Sequence, residues 1–316
     1  MTAAPMTAAE TRRSLAEEIR VTANIRLPRI VDAIRSVPRD KFLPPGPWII
    51  RGMADVLGPP RYTDDADPRH VHHDIAVAID LSRQLYNGQP SLIARWFQEA
   101  GVAEGQRVVH IGTGTGYFTA LLAHIVGPAG HVHGIEVDPD LARQAAANLT
   151  DWPWVAIEQG NSAANLPRDN DVVLVHAGAT HVLDAWLDAL RDGGRLLVPL
   201  TGAMSGFGDL GAAKLPPGAM KENMPGAMKA AMMANIGKGF TLLVTRAGND
   251  WHVRPLPTIP VAIYSLKDVR DETLGAALGQ AVMSGRLMQI TRLRRDRHEA
   301  GDTCVVHGAT TCLTAA

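Results

Sequence analysis

Ile111-Gly112-Thr113-Gly114-Thr115-Gly116-Tyr117 directly follows an apolar run and opens a helix-like stretch. Three glycines there permit a tight turn and let the backbone approach a ligand closely. The spacing is GxGxG rather than the GxGxxG of dinucleotide sites, so the third glycine arrives one residue early. No Gly-Lys-Ser/Thr follows, which excludes a phosphate-binding P-loop. Glu136 closes the next apolar run, in Gly134-Ile-Glu-Val-Asp138. An acid at that spacing can accept hydrogen bonds from both ribose hydroxyls of an adenosine-containing cofactor. A tight turn beside a solvated acid is the plainer alternative, and the combination of loop, strand end and acid favours the ligand.

The elements that must position these residues are legible in the hydrophobic pattern. Strand-like runs occur at 107–111, 131–137, 155–158, 171–176 and 195–200, with helical stretches at 117–126, 139–149 and 182–191. That alternation predicts βαβ units in an α/β, doubly wound, mostly parallel Rossmann-like sheet. Upstream, 10–37 reads as helix, 44–69 as loop, 74–80 as strand and 91–100 as helix. Downstream, strands are expected at 240–247, 259–265, 287–295 and 303–314, with a helix at 271–285. Between them, 203–239 holds six of the eleven methionines and repeats Pro-Gly-Ala-Met-Lys at 217 and 225. It is either a helix covering a sheet edge or a mobile lid.

Composition narrows the function. The 316 residues are 46% hydrophobic and 20% charged with a net charge of -1, which disfavours a disordered chain or a dedicated nucleic-acid binder. The 5% aromatic content gives no platform for single-stranded nucleic acid. No apolar run is long enough for a membrane span. Cys304 and Cys312 are the two cysteines, too few for a disulfide framework or a zinc quartet, and they read as small buried residues in a cytoplasmic protein. His70-Val-His72-His73-Asp74 reads as a polar strand, so no metal ligands are expected. Arg292-Leu-Arg-Arg-Asp-Arg297 reads as a solvated basic face.

The stretch from Arg107 to Leu149 resembles the cofactor half of the protein-L-isoaspartate O-methyltransferases, a branch of the S-adenosylmethionine-dependent methyltransferases. Ser36-Val-Pro-Arg-Asp-Lys-Phe-Leu-Pro44 is similar to that family's VPRxxFxP segment, and Gly193-Gly-Arg-Leu-Leu-Val-Pro199 to its GGRLVVP strand. The resemblance covers roughly 25–265. It implies a class I methyltransferase fold, S-adenosyl-L-methionine as cofactor and a carboxylate of a peptide or protein as methyl acceptor. A different small-molecule or peptide acceptor, or a cofactor-binding protein without turnover, is the alternative. The implied cofactor contacts are Gly112, Thr113, Gly114, Thr115, Gly116, Tyr117, Glu136, Val137, Gly160, Asn161, Ser162 and His176. The implied organisation is an N-terminal helical and acceptor-loop segment (1–90), the methyltransferase domain (91–265) and a C-terminal α+β extension (266–316).

Two departures from the family pattern fall at the site. Counting back from Gly112 puts Gly88 on the position of the family's active-site Ser, within Leu85-Tyr-Asn-Gly-Gln-Pro-Ser91. The family's GDG reads Gly160-Asn161-Ser162, where Asn161 keeps an amide oxygen for an adenine amino group but loses the charge. A carboxylate acceptor is ionised at neutral pH and needs no general base. The catalytic expectation therefore rests on Asn87 and Gln89, whose amides can orient such an acceptor. Tyr86 and His176 are further candidates near the pocket, and for all four residues simple loop or strand packing is an equal reading.

Overall fold

A computed structural model describes residues 6–52, 61–83, 85–161, 166–202, 236–256, 263–264 and 269–315. Ser162 and the Met-rich stretch 203–235 lie outside the described residues. The chain divides into two compact units, 1–161 and 162–316.

The first unit begins with helices α1 (Ala8–Thr22) and α2 (Pro28–Ser36). The pattern predicts one helix over 10–37, but the chain breaks at Asn24, which takes a positive φ of 51°, and Pro28 restarts it at a first-turn position. A capping box between Thr7 and Glu10 sets the start of α1. Strands β1 (Ile49–Arg51), β2 (Arg61–Tyr62), β3 (Ala76–Asp80) and β4 (Leu85–Asn87) form an antiparallel sheet in the order β2-β1-β3-β4. Two of these strands fall in the stretch read as loop, because they are short and carry little periodicity. Helix α3 (Pro90–Glu99) follows, then β5 (Arg107–Ile111), α4 (Tyr117–Val126), β6 (His131–Glu136), α5 (Pro139–Asn148) and β7 (Val155–Gln159). Strand β6 pairs in parallel with β5 on one side and β7 on the other. Strands buried on both faces read as continuous apolar runs, and this part matches expectation closely.

The second unit starts with β8 (Asn170–Val175), α6 (Asp184–Asp188) and β9 (Leu190–Gly202), with β8 parallel to β9. The helix expected over 182–191 is shorter, because β9 begins at Leu190. From β9 the pairing turns antiparallel through β10 (Ile236–Ala247) and β11 (Asp250–Pro255). Strand β11 is not in the expected list; Gly248 takes a positive φ of 62° in the turn that precedes it. Strand β12 (Ile263–Tyr264) pairs with β10. Helix α7 (Glu272–Met283) leads to β13 (Ile290–Arg294), β14 (Cys304–His307) and β15 (Cys312–Ala315), with β15 between the other two. The strand expected over 303–314 is thus a hairpin. The basic run is answered by acids: Arg295 lies 2.8 Å from Asp184 and 2.7 Å from Asp188, and Arg294 pairs with Asp296.

Candidate functional site

The glycine loop joins β5 to α4 with Gly112, Gly114 and Gly116 at φ of 82°, 56° and 98°. L side chains rarely adopt such angles, so glycine is the residue this turn requires. Gly112 N–H donates to the Ile135 carbonyl at 2.8 Å, fastening the loop to β6. At Gly134 in β6, an added Cβ would stand 2.5 Å from Ile157 Cδ1 and 2.7 Å from Thr113 Cγ2. The loop lies over β6 only because that strand carries no side chain there. Gly134→Ala is expected to lower stability by about 1–3 kcal/mol through overpacking and to lift the loop. Thermal melting checks the first effect and cofactor titration the second.

Glu136 is buried at 6% exposure. Its Oε2 accepts the Gly114 N–H at 2.8 Å and its Oε1 the Asp138 N–H at 3.1 Å. Burial raises its pKa, against the lowering effect of the backbone donors at Asp138 and Gly114. Each carboxylate oxygen has further acceptor capacity after these bonds. Next to it Val137 is 53% exposed, an apolar surface at the strand end. Gly160 N–H donates to the Glu136 carbonyl at 3.0 Å, and exposed Asn161 follows it. These features fit an adenosine ligand: a loop whose three glycines carry no side chain, a buried carboxylate with remaining lone pairs, and an open apolar neighbour.

The other expected contacts separate by orientation. Thr113 and Thr115 are buried, and Thr115 Oγ1 has no hydrogen-bond partner among the described residues. Tyr117 is turned into the core against Phe42 (ring centroids 5.8 Å apart), and burial raises its hydroxyl pKa to about 12. His176, in the second unit, follows β8 half-buried, and burial pushes its pKa down to about 4, so it is neutral at pH 7.

The loop from Asn87 to Gln89 is organised by a residue that the sequence pattern does not single out. Arg39, in the VPR segment, is fully buried. Its Nε donates to Asn87 Oδ1 at 2.7 Å, and Nη2 donates to the carbonyls of Ile75, Asn87 and Gly88 at 2.9, 3.1 and 2.8 Å. Nη1 donates to the carbonyls of Val71 and His73, both at 3.3 Å. Its guanidinium carbon also sits 5.6 Å from the centre of the Tyr117 ring. Burial lowers its pKa to about 10, which leaves it charged at neutral pH. The sequence signal was present in Val37-Pro-Arg39, but nothing in it told that the cation points inward.

Asn87 and Gln89 are consequently ties of the loop. Asn87 is 5% exposed with its amide oxygen on Arg39, and Gln89 Nε2 donates to the Asp74 carbonyl at 3.2 Å. Asp74 Oδ1 accepts the Ser91 N–H at 2.9 Å, stabilising the start of α3. Tyr86 takes a hydrogen bond from Arg51 Nε at 3.2 Å on its hydroxyl. The loop adjoins the cofactor end: Arg83 pairs with Asp138 at 2.7 Å, and an added Cβ on Gly114 would lie 3.8 Å from Ile79 Cδ1. In the histidine-rich segment, His72 is buried 3.1 Å from Asp40, and His70 lies 2.9 Å from Asp65. Each engages its own acid.

The model of the protein-L-isoaspartate(D-aspartate) O-methyltransferase family matches residues 57–207. A protein-L-isoaspartate O-methyltransferase of Opitutus terrae is 31% identical over 198 residues, 61% of this chain and 74% of that protein. A protein-L-isoaspartate O-methyltransferase 1 of an Anaeromyxobacter species is 33% identical over 184 residues, 57% and 75% of the two chains. Among solved structures, a protein-L-isoaspartate O-methyltransferase superposes with a TM-score of 0.57 at 20% identity, covering 86% of this chain and 69% of that one. A putative one from Plasmodium falciparum, in complex with S-adenosyl-L-homocysteine, gives 0.54 at 17% identity, covering 81% and 98%. The two superpositions establish the α/β methyltransferase fold.

Proposed function

Since the chain belongs to the protein-L-isoaspartate O-methyltransferase family, we propose that it methylates a carboxylate of a peptide or protein with S-adenosyl-L-methionine. The observation that carries this reading is the pairing of the buried Glu136 carboxylate with the Gly114 amide, which holds the glycine loop open beside a strand end. When bound, the cofactor supplies a methyl group already activated on a sulfonium. The chain's own residues then have to bind, orient and exclude water.

Glu136 receives the ribose hydroxyls on its remaining lone pairs, and the backbone of Gly112 to Gly116 borders the rest of the ligand. Val137 covers an adenine face, and Asn161 accepts from the adenine amino group. The acceptor carboxylate approaches along Asn87-Gly88-Gln89. It is ionised at neutral pH and attacks without proton removal. Arg39 is the positioning residue of this arrangement, acting through the loop that it holds from below. Asn87 and Gln89 act on the acceptor by shaping the same loop. A reducing, cytoplasmic setting suits the two free cysteines.

The isoaspartyl carboxylate is the acceptor the family points to, and Gly88 sets the expected rate. Without a hydroxyl at that position, one acceptor contact is missing, worth about 1 kcal/mol or roughly fivefold. Gly88→Ser is expected to raise methylation of an isoaspartyl peptide by that factor, read as kcat/KM against the matched aspartyl peptide. A wild-type protein that methylates neither peptide, with Gly88→Ser equally inert, would overturn the isoaspartyl assignment.

A further inference from the structure

Four side chains unconnected with methyl transfer converge in the C-terminal extension. His298, Cys304, His307 and Cys312 bring one nitrogen or sulfur each to within 4.8 Å of one another. We propose that these four residues form a structural zinc site that closes the C-terminal hairpin. The spacing, His-x5-Cys-x2-His-x4-Cys, places three ligands on the β14–β15 hairpin and the fourth on the segment leading into it.

The local chemistry matches a metal centre in several respects. Two sulfurs and two imidazoles are a donor set that zinc takes in tetrahedral form, and four protein ligands leave no open position for catalysis. A tetrahedron with bonds of about 2.0 Å to nitrogen and 2.3 Å to sulfur needs ligand separations of roughly 3.3–3.8 Å, so the present cluster closes by about 1 Å. His298 Nδ1 lies 2.9 Å from the Asp296 carbonyl, the outer contact that fixes a ligating imidazole. Its Nε2 is then directed inward, 3.5 Å from Cys304 Sγ. The Gly301 N–H lies 3.4 Å from the same sulfur, as suits a bound thiolate. His307 Nδ1 is buried without a hydrogen-bond partner among the described residues. Its ring stands edge-on to His298 with centroids 4.8 Å apart.

A disulfide is the competing use of the two sulfurs, and the strand register opposes it. Across the hairpin, Cys312 faces His307 while Cys304 faces Thr314, so the cysteines sit diagonally. Zinc binding would displace the thiol protons to solvent and tie the segment 295–303, which has no regular structure, to β14 and β15.

The test is elemental analysis of the full chain, purified with reductant and without chelator. Equimolar zinc is expected, falling at least tenfold in the Cys304→Ser/Cys312→Ser variant. Cobalt loaded in place of zinc is expected to give thiolate-to-cobalt charge-transfer absorption. That spectrum carries the test on the unmodified protein if the double variant fails to fold. Three results would each overturn the proposal: reduced protein that retains neither zinc nor cobalt through desalting, zinc content unchanged in the double variant, or a Cys304–Cys312 disulfide in protein that takes up no metal after reduction.

Discussion

Replacing Arg39 by Met is expected to cost about 3–5 kcal/mol of stability, the scale for deleting one side of a buried charged network. At roughly 2–4 °C per kcal/mol for a domain of this size, the melting temperature falls on the order of 10 °C. The magnitude follows from the partners left behind. The carbonyls of Val71, His73, Ile75, Asn87 and Gly88 and the Asn87 amide oxygen all take their hydrogen from this one guanidinium. The Val71 and Asn87 carbonyls and the Asn87 amide oxygen are the buried acceptors that lose this donor, whereas the His73 carbonyl keeps the Ile75 N–H at 2.9 Å; Met supplies volume but no hydrogen. Arg39→Lys keeps the charge but has no planar fork, so it should fall between the two. Because the loop carrying Gly88 is held from beneath, both variants should lose turnover more than cofactor affinity. Calorimetric melting together with separate kcat and cofactor Kd values checks this, and a native melting temperature for Arg39→Met would refute it.

Glu136→Ala is expected to weaken S-adenosyl-L-methionine binding at least tenfold. A hydrogen bond to a charged acceptor is worth about 1.5–3 kcal/mol, and two ribose hydroxyls are proposed to share this carboxylate. The structure adds a second cost, because Glu136 also accepts the amides of Gly114 and Asp138. Its loss frees the glycine loop as well as the ribose subsite. Glu136→Gln separates the effects: its amide oxygen can still take one backbone donor, while its amino group meets the others as a donor. Gln is therefore expected to retain the melting temperature better than Ala while binding the cofactor almost as poorly. Titration calorimetry reads the affinity. Equal dissociation constants for wild type and Glu136→Ala would remove Glu136 from the cofactor site.

The parts legible in the sequence were those fixed by short-range rules. Gly112, Gly114 and Gly116 announce a turn with positive φ, and the apolar runs at 107–111 and 131–137 announce buried parallel strands. What escaped depends on partners distant along the chain. Arg39 is 48 residues from Asn87, and no local pattern tells that a cation points into the interior. Gly134 looks like an ordinary strand residue until Thr113 and Ile157 are seen beside it. Tyr117 belongs to the loop by sequence, but its ring is buried against Phe42. His298 and His307 carry no signal as a pair until the hairpin folds them against the two cysteines.

Carboxyl methylation is tested by the fate of a labelled methyl group. The protein is incubated with methyl-labelled S-adenosyl-L-methionine and an isoaspartyl peptide, and the peptide is then brought to alkaline pH. S-adenosylhomocysteine is expected to form in step with peptide label, and the label is expected to leave as methanol on alkaline treatment, as an ester requires. Label that stays on the peptide in alkali would place the methyl on nitrogen or an ether oxygen and contradict carboxyl transfer.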